Sequence, residues 1–221
     1  MAERSTDNLL LSIRQKEAQV EGLAEGVGAM SVELSDCLIV DGPNFWSLLK
    51  AFGRPQTLLS EGLIDQIEER LGNLLQKQVT FVERIWVSPN LNHLRCNTDW
   101  LRRFFKTLQA HGWIIVFPKR MAIPNTVEKA DDHAIRCLLL DKSEVLPSGS
   151  VLALASGDGD FVETLRSIKL QREDLFVAVI TGTIPPYFYA NPRLREVADF
   201  FLDILTLPCL LSKPLGTMLR K

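Results

Sequence analysis

Cysteine is scarce in this chain: four residues in 221, Cys37, Cys96, Cys137 and Cys209, far apart, with no CxxC pair and no histidine at zinc-ligand spacing. That speaks against a disulfide framework and against a zinc site, and a reducing cytoplasm is the expected setting. Long apolar runs are also missing. None approaches the ~18 residues that a membrane helix needs. The opening MAERSTDNLLLSIRQ carries acids where a signal or transit peptide would be apolar or basic, so no membrane partner is expected. There is no GxxxxGK(S/T) segment, which excludes a P-loop nucleotidase. No GxSxG elbow accompanies His93, His111 or His133, which argues against a nucleophilic hydrolase.

What is present is ordinary globular material, 46% hydrophobic and 24% charged with a net charge of -2, unevenly distributed. Residues 1–36 hold three Lys/Arg against seven Asp/Glu, whereas residues 94–136 hold eight against four. The middle of the chain is therefore the part suited to face an anion. Leu9, Leu10, Ile13, Val20 and Leu23 recur among polar residues and predict an amphipathic N-terminal helix. We divide the chain into this extension and its linker (1–35), a main domain (36–206) and a basic tail (207–221). The extension either packs on the domain or serves a second copy or a protein partner.

From CLIV (37–40) onward, apolar runs and amphipathic stretches alternate. Helices are predicted at 61–77, 98–111, 126–140, 160–169 and 192–200, and strands at 80–87, 113–117, 150–155 and 175–180. FLDILTL, near the end, reads as a last strand or as the end of the last helix. Such alternation predicts an α/β fold, a mainly parallel sheet with helices on both faces.

In an open parallel sheet, ligands bind outside the carboxyl ends of the strands. Asp41 follows CLIV directly, Asp158 and Asp160 follow VLALASG, and Asp131 and Asp132 open the helix after NTVEK. Acids gathered at one rim raise each other's pKa unless a cation sits among them, and oxygen-only ligands favour Mg²⁺ or Mn²⁺. Gly157 and Gly159 are expected to allow a tight backbone turn that brings Asp158 and Asp160 to one ion. Each element alone has a plainer reading. DGPN is a common turn, SGDGD suits a loop ending in a capping Asp, and Asp132 is placed to pair with Arg136 one turn on. It is their joint occurrence on the expected side of the sheet that points to a site.

These segments, IVDGPNFW (39–46), EKADDHAIRCLL (128–139), LASGDGDFVETL (153–164) and REVADFFLDI (195–204), resemble in order the NYN domain family, which includes the bacterial LabA-like proteins and belongs to the PIN-like nucleases. The resemblance spans roughly residues 36–206. It implies a three-layer α/β/α PIN-like (Rossmann-like) fold and a metal-dependent ribonuclease site. The family's first acid falls on Asp41 and its Asn on Asn44, its helix acid on Asp132, its last pair on Asp158 and Asp160, its small polar residue on Ser156 and its basic residue on Lys129. LabA-like members often have an uncharged residue in place of Asp131, and Val or Ile in place of His133.

The reaction so implied is hydrolysis of a phosphodiester bond with Mg²⁺ or Mn²⁺ as cofactor. Asp41 and Asp158 are expected as direct metal ligands, Asp132 to complete the metal site or orient the attacking water, and Asp160 to hold a metal-bound water. Asn44 is expected to fix Asp41 or to bind phosphate, and Asp131 and Ser156 to act as auxiliaries. Single-stranded RNA is the expected substrate, tracked by Arg102, Arg103, Lys106, Lys119, Arg120 and Lys129. Trp46, Trp86 and Trp100 either stack on bases or belong to the core. The alternative to an enzyme is a regulatory module of the same fold that binds RNA or protein without turnover.

Overall fold

CLIV holds no polar residue because both faces of the strand it forms are covered: all six residues of β1 (Asp36–Asp41) are buried. The computed structural model describes residues 35–50, 62–89, 99–118, 130–184 and 189–211. The predicted N-terminal helix, Lys119, Arg120 and Lys129 lie outside the described residues. After β1 come α1 (Gly42–Lys50), α2 (Leu63–Leu75), β2 (Phe81–Val87), α3 (Asp99–Ala110) and β3 (Ile114–Val116). The second half runs α4 (Ala130–Val145), β4 (Val151–Ala155), a 3₁₀ turn (Gly159–Phe161), α5 (Val162–Gln171), β5 (Phe176–Thr181), α6 (Arg193–Val197) and β6 (Phe200–Asp203), and closes with α7 (Pro208–Leu211).

The six strands form one sheet in the order β3-β2-β1-β4-β5-β6, and every pairing is parallel. Strand alternation sends Leu38 and Val40 to one face and Cys37 and Ile39 to the other. The first face packs with Phe45 and Leu48 of α1, Leu63 and Ile67 of α2 and Phe104 and Leu108 of α3. The second packs with Ile135 and Leu139 of α4, Leu165 and Ile168 of α5 and Leu194 of α6. The architecture is therefore the expected three-layer α/β/α arrangement, with the strand order reversing between β1 and β4.

Three details differ from the expectation. The last helix, expected to reach about 200, stops at Val197, and FFLD after it takes the first of its two expected readings, a strand, β6, paired with β5. Helix α4 runs on to Val145, beyond the predicted end at 140. The packed unit also does not stop at 206: Leu207 and Leu210, three residues apart, are buried in the first core, and the Cys209 amide donates to Gln66 Oε1 at 3.0 Å. Pro208 opens the short helix that sets this spacing, a position where its missing N–H costs nothing.

The amino end of the sheet is tied by Asp36. Its fully buried carboxylate accepts from Val151 N at 2.7 Å and Thr80 N at 2.9 Å, so one side chain holds the entries to β2 and β4. At the opposite end Gly42 starts α1 under tight constraint. A Cβ there would lie 2.3 Å from Val87 O and 2.4 Å from Trp86 Nε1, so the helix can approach β2 only without a side chain. Gly42→Ala is expected to cost about 1–3 kcal/mol, as overpacking does. A denaturant midpoint that falls with an unchanged slope would register it.

Candidate metal and nuclease site

Asp41 belongs to the alternation of Cys37 and Ile39, so it continues the α4-covered face at the carboxyl end of β1. Ser156 stands in the same relation to Leu152 and Leu154 at the end of β4. Because Val40 pairs with Ala155, the two end residues lie side by side, and Ser156 Oγ donates to Asp41 Oδ2 at 2.8 Å. Since Ala155 in turn pairs with Ile180, Thr181 at the end of β5 continues the row. Its hydroxyl is fully buried and has no hydrogen-bond partner among the described residues. The row crosses the point where the strand order reverses, which is where open α/β sheets bind ligands.

Both strand-end acids also serve as helix caps. The other Asp41 oxygen, Oδ1, accepts from Asn44 N at 3.3 Å at the start of α1. Asp158 caps the 3₁₀ turn that leads into α5, its Oδ1 accepting from Asp160 N at 3.0 Å. The Asp158 amide in turn donates to Ser156 Oγ at 3.1 Å. The capping reading of SGDGD is thus correct for Asp158, and the cap engages only Oδ1 of its carboxylate.

The third acid comes from α4. Asp132, Ile135 and Leu139 form the inward stripe of that helix, so Asp132 is buried at the top of the stripe that packs on the sheet. Burial pushes the Asp41 carboxyl up to about 6; the Ser156 and Asn44 hydrogen bonds oppose the rise, and the charges of Asp132 and Asp158 add to it. The two hydrogen bonds leave Asp41 under-compensated.

Asp160 and Asp131 stand apart from this group. Asp160 is exposed, and it is its backbone that is engaged: the amide with Asp158, and the carbonyl, which accepts from Arg136 at 3.1 Å. Asp131 lies off the inward stripe of α4 and is partly exposed. Asn44 fixes Asp41 through its backbone amide, while its side-chain Oδ1 accepts from Gly157 N at 2.8 Å and links the two loops that carry Asp41 and Asp158. Arg102, Arg103 and Lys106 are exposed on α3, as a solvated or ligand-facing helix surface would be.

Gly159 of SGDGD has a purpose other than the tight turn expected of it and of Gly157. Neither takes a positive φ. A Cβ on Gly159 would instead fall 2.0 Å from Asn191 Nδ2, so the glycine makes room for a residue 32 positions later. The Asn191 amide also donates to Gly157 O at 2.9 Å, and its Oδ1 accepts from Arg193 N at 3.0 Å. Asn191 thereby clamps the acid-bearing loop from the start of α6. The sequence reading did not single it out, although Asn before Pro ahead of a helix is a capping pattern that could have drawn notice.

The donor set suits a hard cation: carboxylate oxygens, one of them buried among like charges, with hydroxyls beside it. Among the described residues no three His, Cys, Asp or Glu side chains are gathered closely enough to hold an ion by themselves. Mg²⁺ does not need such a cage, since it typically binds through one or two carboxylates and keeps waters or substrate oxygens for the rest.

No helix among the described residues is long and apolar enough to cross a membrane. No family model matches the chain, and no curated protein matches it. Among solved structures the chain is similar to a crystal structure of a protein of unknown function from Vibrio parahaemolyticus. The two share 18% identity over 79% of this chain and 96% of the other, with a TM-score of 0.53. That likeness carries the fold: an α/β domain with an all-parallel six-stranded sheet between two helical layers.

Proposed function

We propose that this protein is a metal-dependent ribonuclease of the NYN type that hydrolyses phosphodiester bonds of single-stranded RNA with Mg²⁺ or Mn²⁺. The observation that supports it best is the buried, under-compensated Asp41 at the strand-order reversal, with Asp132 and Asp158 contributed by two other segments. An acid placed so is costly to maintain, and acids of shifted pKa gather at functional sites.

Asp41 and Asp158 would hold the ion, with Asp132 completing the site or orienting the attacking water; the ion when bound supplies charge neutralisation at the attacked phosphate and lowers the pKa of water. Ser156 and the Asn44 amide keep the Asp41 carboxylate in a single orientation. Asn44 ties the two acid-bearing loops together, and Asn191 clamps the second of them to the start of α6. Arg102, Arg103 and Lys106 offer the RNA backbone a positive flank, with Lys119, Arg120 and Lys129 assigned to the same role from the sequence alone.

A second reading, a binding module without turnover, draws on the fact that Asp41 and Asp158 are both engaged as caps. One assay separates the two: a labelled single-stranded RNA incubated with Mn²⁺, with Mg²⁺ and with EDTA. Cleavage only with metal is expected. RNA that is retained but stays intact in every lane would favour the binding module instead.

A further inference from the structure

The three tryptophans that the sequence left between core and base stacking have different fates. Trp86 is buried in the first core and forms part of the inner wall of the cleft described below. Trp46 is partly buried and Trp100, in the first turn of α3, is 39% exposed. Their rings stack on each other with centroids 5.0 Å apart and planes 31° from parallel, and Trp46 leans on Phe104 at 4.9 Å. Beside them opens a cleft of about 220 Å³, walled by Gly42, Pro43, Trp46, Pro89, Trp100 and Leu101.

We infer that this cleft receives one unpaired nucleobase of the strand whose phosphate lies at Asp41, an assignment that rests on the nuclease reading above. Position is the first argument. Gly42 and Pro43 form part of the wall and directly follow Asp41, so the cleft opens at the same end of β1, on the face of the sheet opposite the one that the Asp41 side chain continues. Size is the second: the volume lies below the ~300 Å³ where pockets for drug-sized ligands begin, and it suits a single ring system.

The lining decides what kind of ring. Aromatic and proline faces with few polar atoms offer stacking, and Ser88 brings the one hydroxyl among the lining residues, too little to read a whole base edge. The subsite therefore accepts bases with little sequence preference. Charge favours a nucleic acid over a proline-rich peptide, the other occupant that aromatic clefts admit. Arg103 stands exposed one turn along α3 from Trp100, with Arg102 and Lys106 on the same helix, and a neutral peptide has nothing to offer them.

The test measures binding in EDTA, so that nothing is cleaved, by anisotropy of a labelled oligouridylate and of an abasic ribose-phosphate chain of equal length. Trp100→Ala is expected to bind oligouridylate roughly tenfold more weakly than the unaltered protein, as loss of one base–aromatic stack does, and Trp100→Phe to lose much less. The abasic chain should bind all three proteins alike. Equal oligouridylate binding by Trp100→Ala, equal loss of both chains, binding of a proline-rich peptide in place of RNA, or no oligouridylate binding at all would each overturn the assignment. Metal-dependent cleavage is scored separately. If Trp100→Ala cuts and binds like the unaltered protein, the subsite fails while the nuclease reading stands. If binding depends on Trp100 but no metal supports cutting, the nuclease reading fails and a base-stacking cleft remains.

Discussion

Asp158→Asn is expected to lower metal-dependent RNA cleavage by roughly 10³-fold, the upper end of what loss of one charge-stabilising group costs an active site. The substitution discriminates because Asn divides the capping role of Asp158 from the role proposed for its charge. Its Oδ1 accepts from the Asp160 amide at the start of the 3₁₀ turn, and an Asn carbonyl accepts there equally well. The negative charge is what Asn removes. Thermal stability within a few degrees of the unaltered protein, together with lost cleavage, assigns the charge to chemistry. A variant that still cuts RNA at the original rate would leave Asp158 as a cap and nothing more.

Asp41→Asn is expected to have the opposite signature in stability. Burial raises the folded pKa to about 6, above the unfolded carboxyl's ~3.9. Below about pH 4 both states are protonated and Asp41 costs nothing. Between about pH 4 and 6 the folded chain keeps a proton that the unfolded chain has lost, so this group makes stability fall as pH rises. Above about 6 the whole cost is present, on the order of 1–3 kcal/mol. Asn removes the charge and retains an acceptor for Ser156 or the Asn44 amide. In EDTA at pH 8, Asp41→Asn should therefore melt above the unaltered protein, and at pH 4 the two should coincide. Mn²⁺ at pH 8 should narrow the gap by stabilising only the protein that keeps Asp41. A variant less stable at pH 8 than at pH 4, relative to the unaltered chain, would contradict the account.

The contrast between the two acids of β1 shows what could be read from the sequence. That CLIV and VLALA are strands followed from apolar runs bounded by turn residues, and Asp41 and Asp158 at their carboxyl ends followed from chain order alone. The polarity of a parallel sheet places both at one rim. Which partners those acids meet did not follow. Asp36 and Asp41 look alike at the two ends of one strand, yet Asp36 receives two backbone amides while Asp41 faces two more carboxylates. The difference comes from strand order, which no local pattern encodes. Gly159 is similar. Its purpose lies in Asn191, 32 residues away, and only the folded chain puts the two together. Trp46, Trp86 and Trp100 share one residue type and three degrees of burial, decided by helix phase for Trp46 and Trp100 and, for Trp86, by the face that β2 turns to the first core.

The hydrogen bond between Asp41 and Ser156 joins residues 115 positions apart in sequence. The rim therefore has no local existence: neither half of the chain contains it, and it forms only when β1 and β4 zip together at the centre of the sheet. Contacts of such separation are made late, after the entropy of closing the intervening loop has been overcome. On denaturant titration the capacity to cut RNA should disappear together with the global fold and not ahead of it. An ion bound across the same seam would act as a clasp between the two halves, adding stability in proportion to the logarithm of its concentration over its dissociation constant.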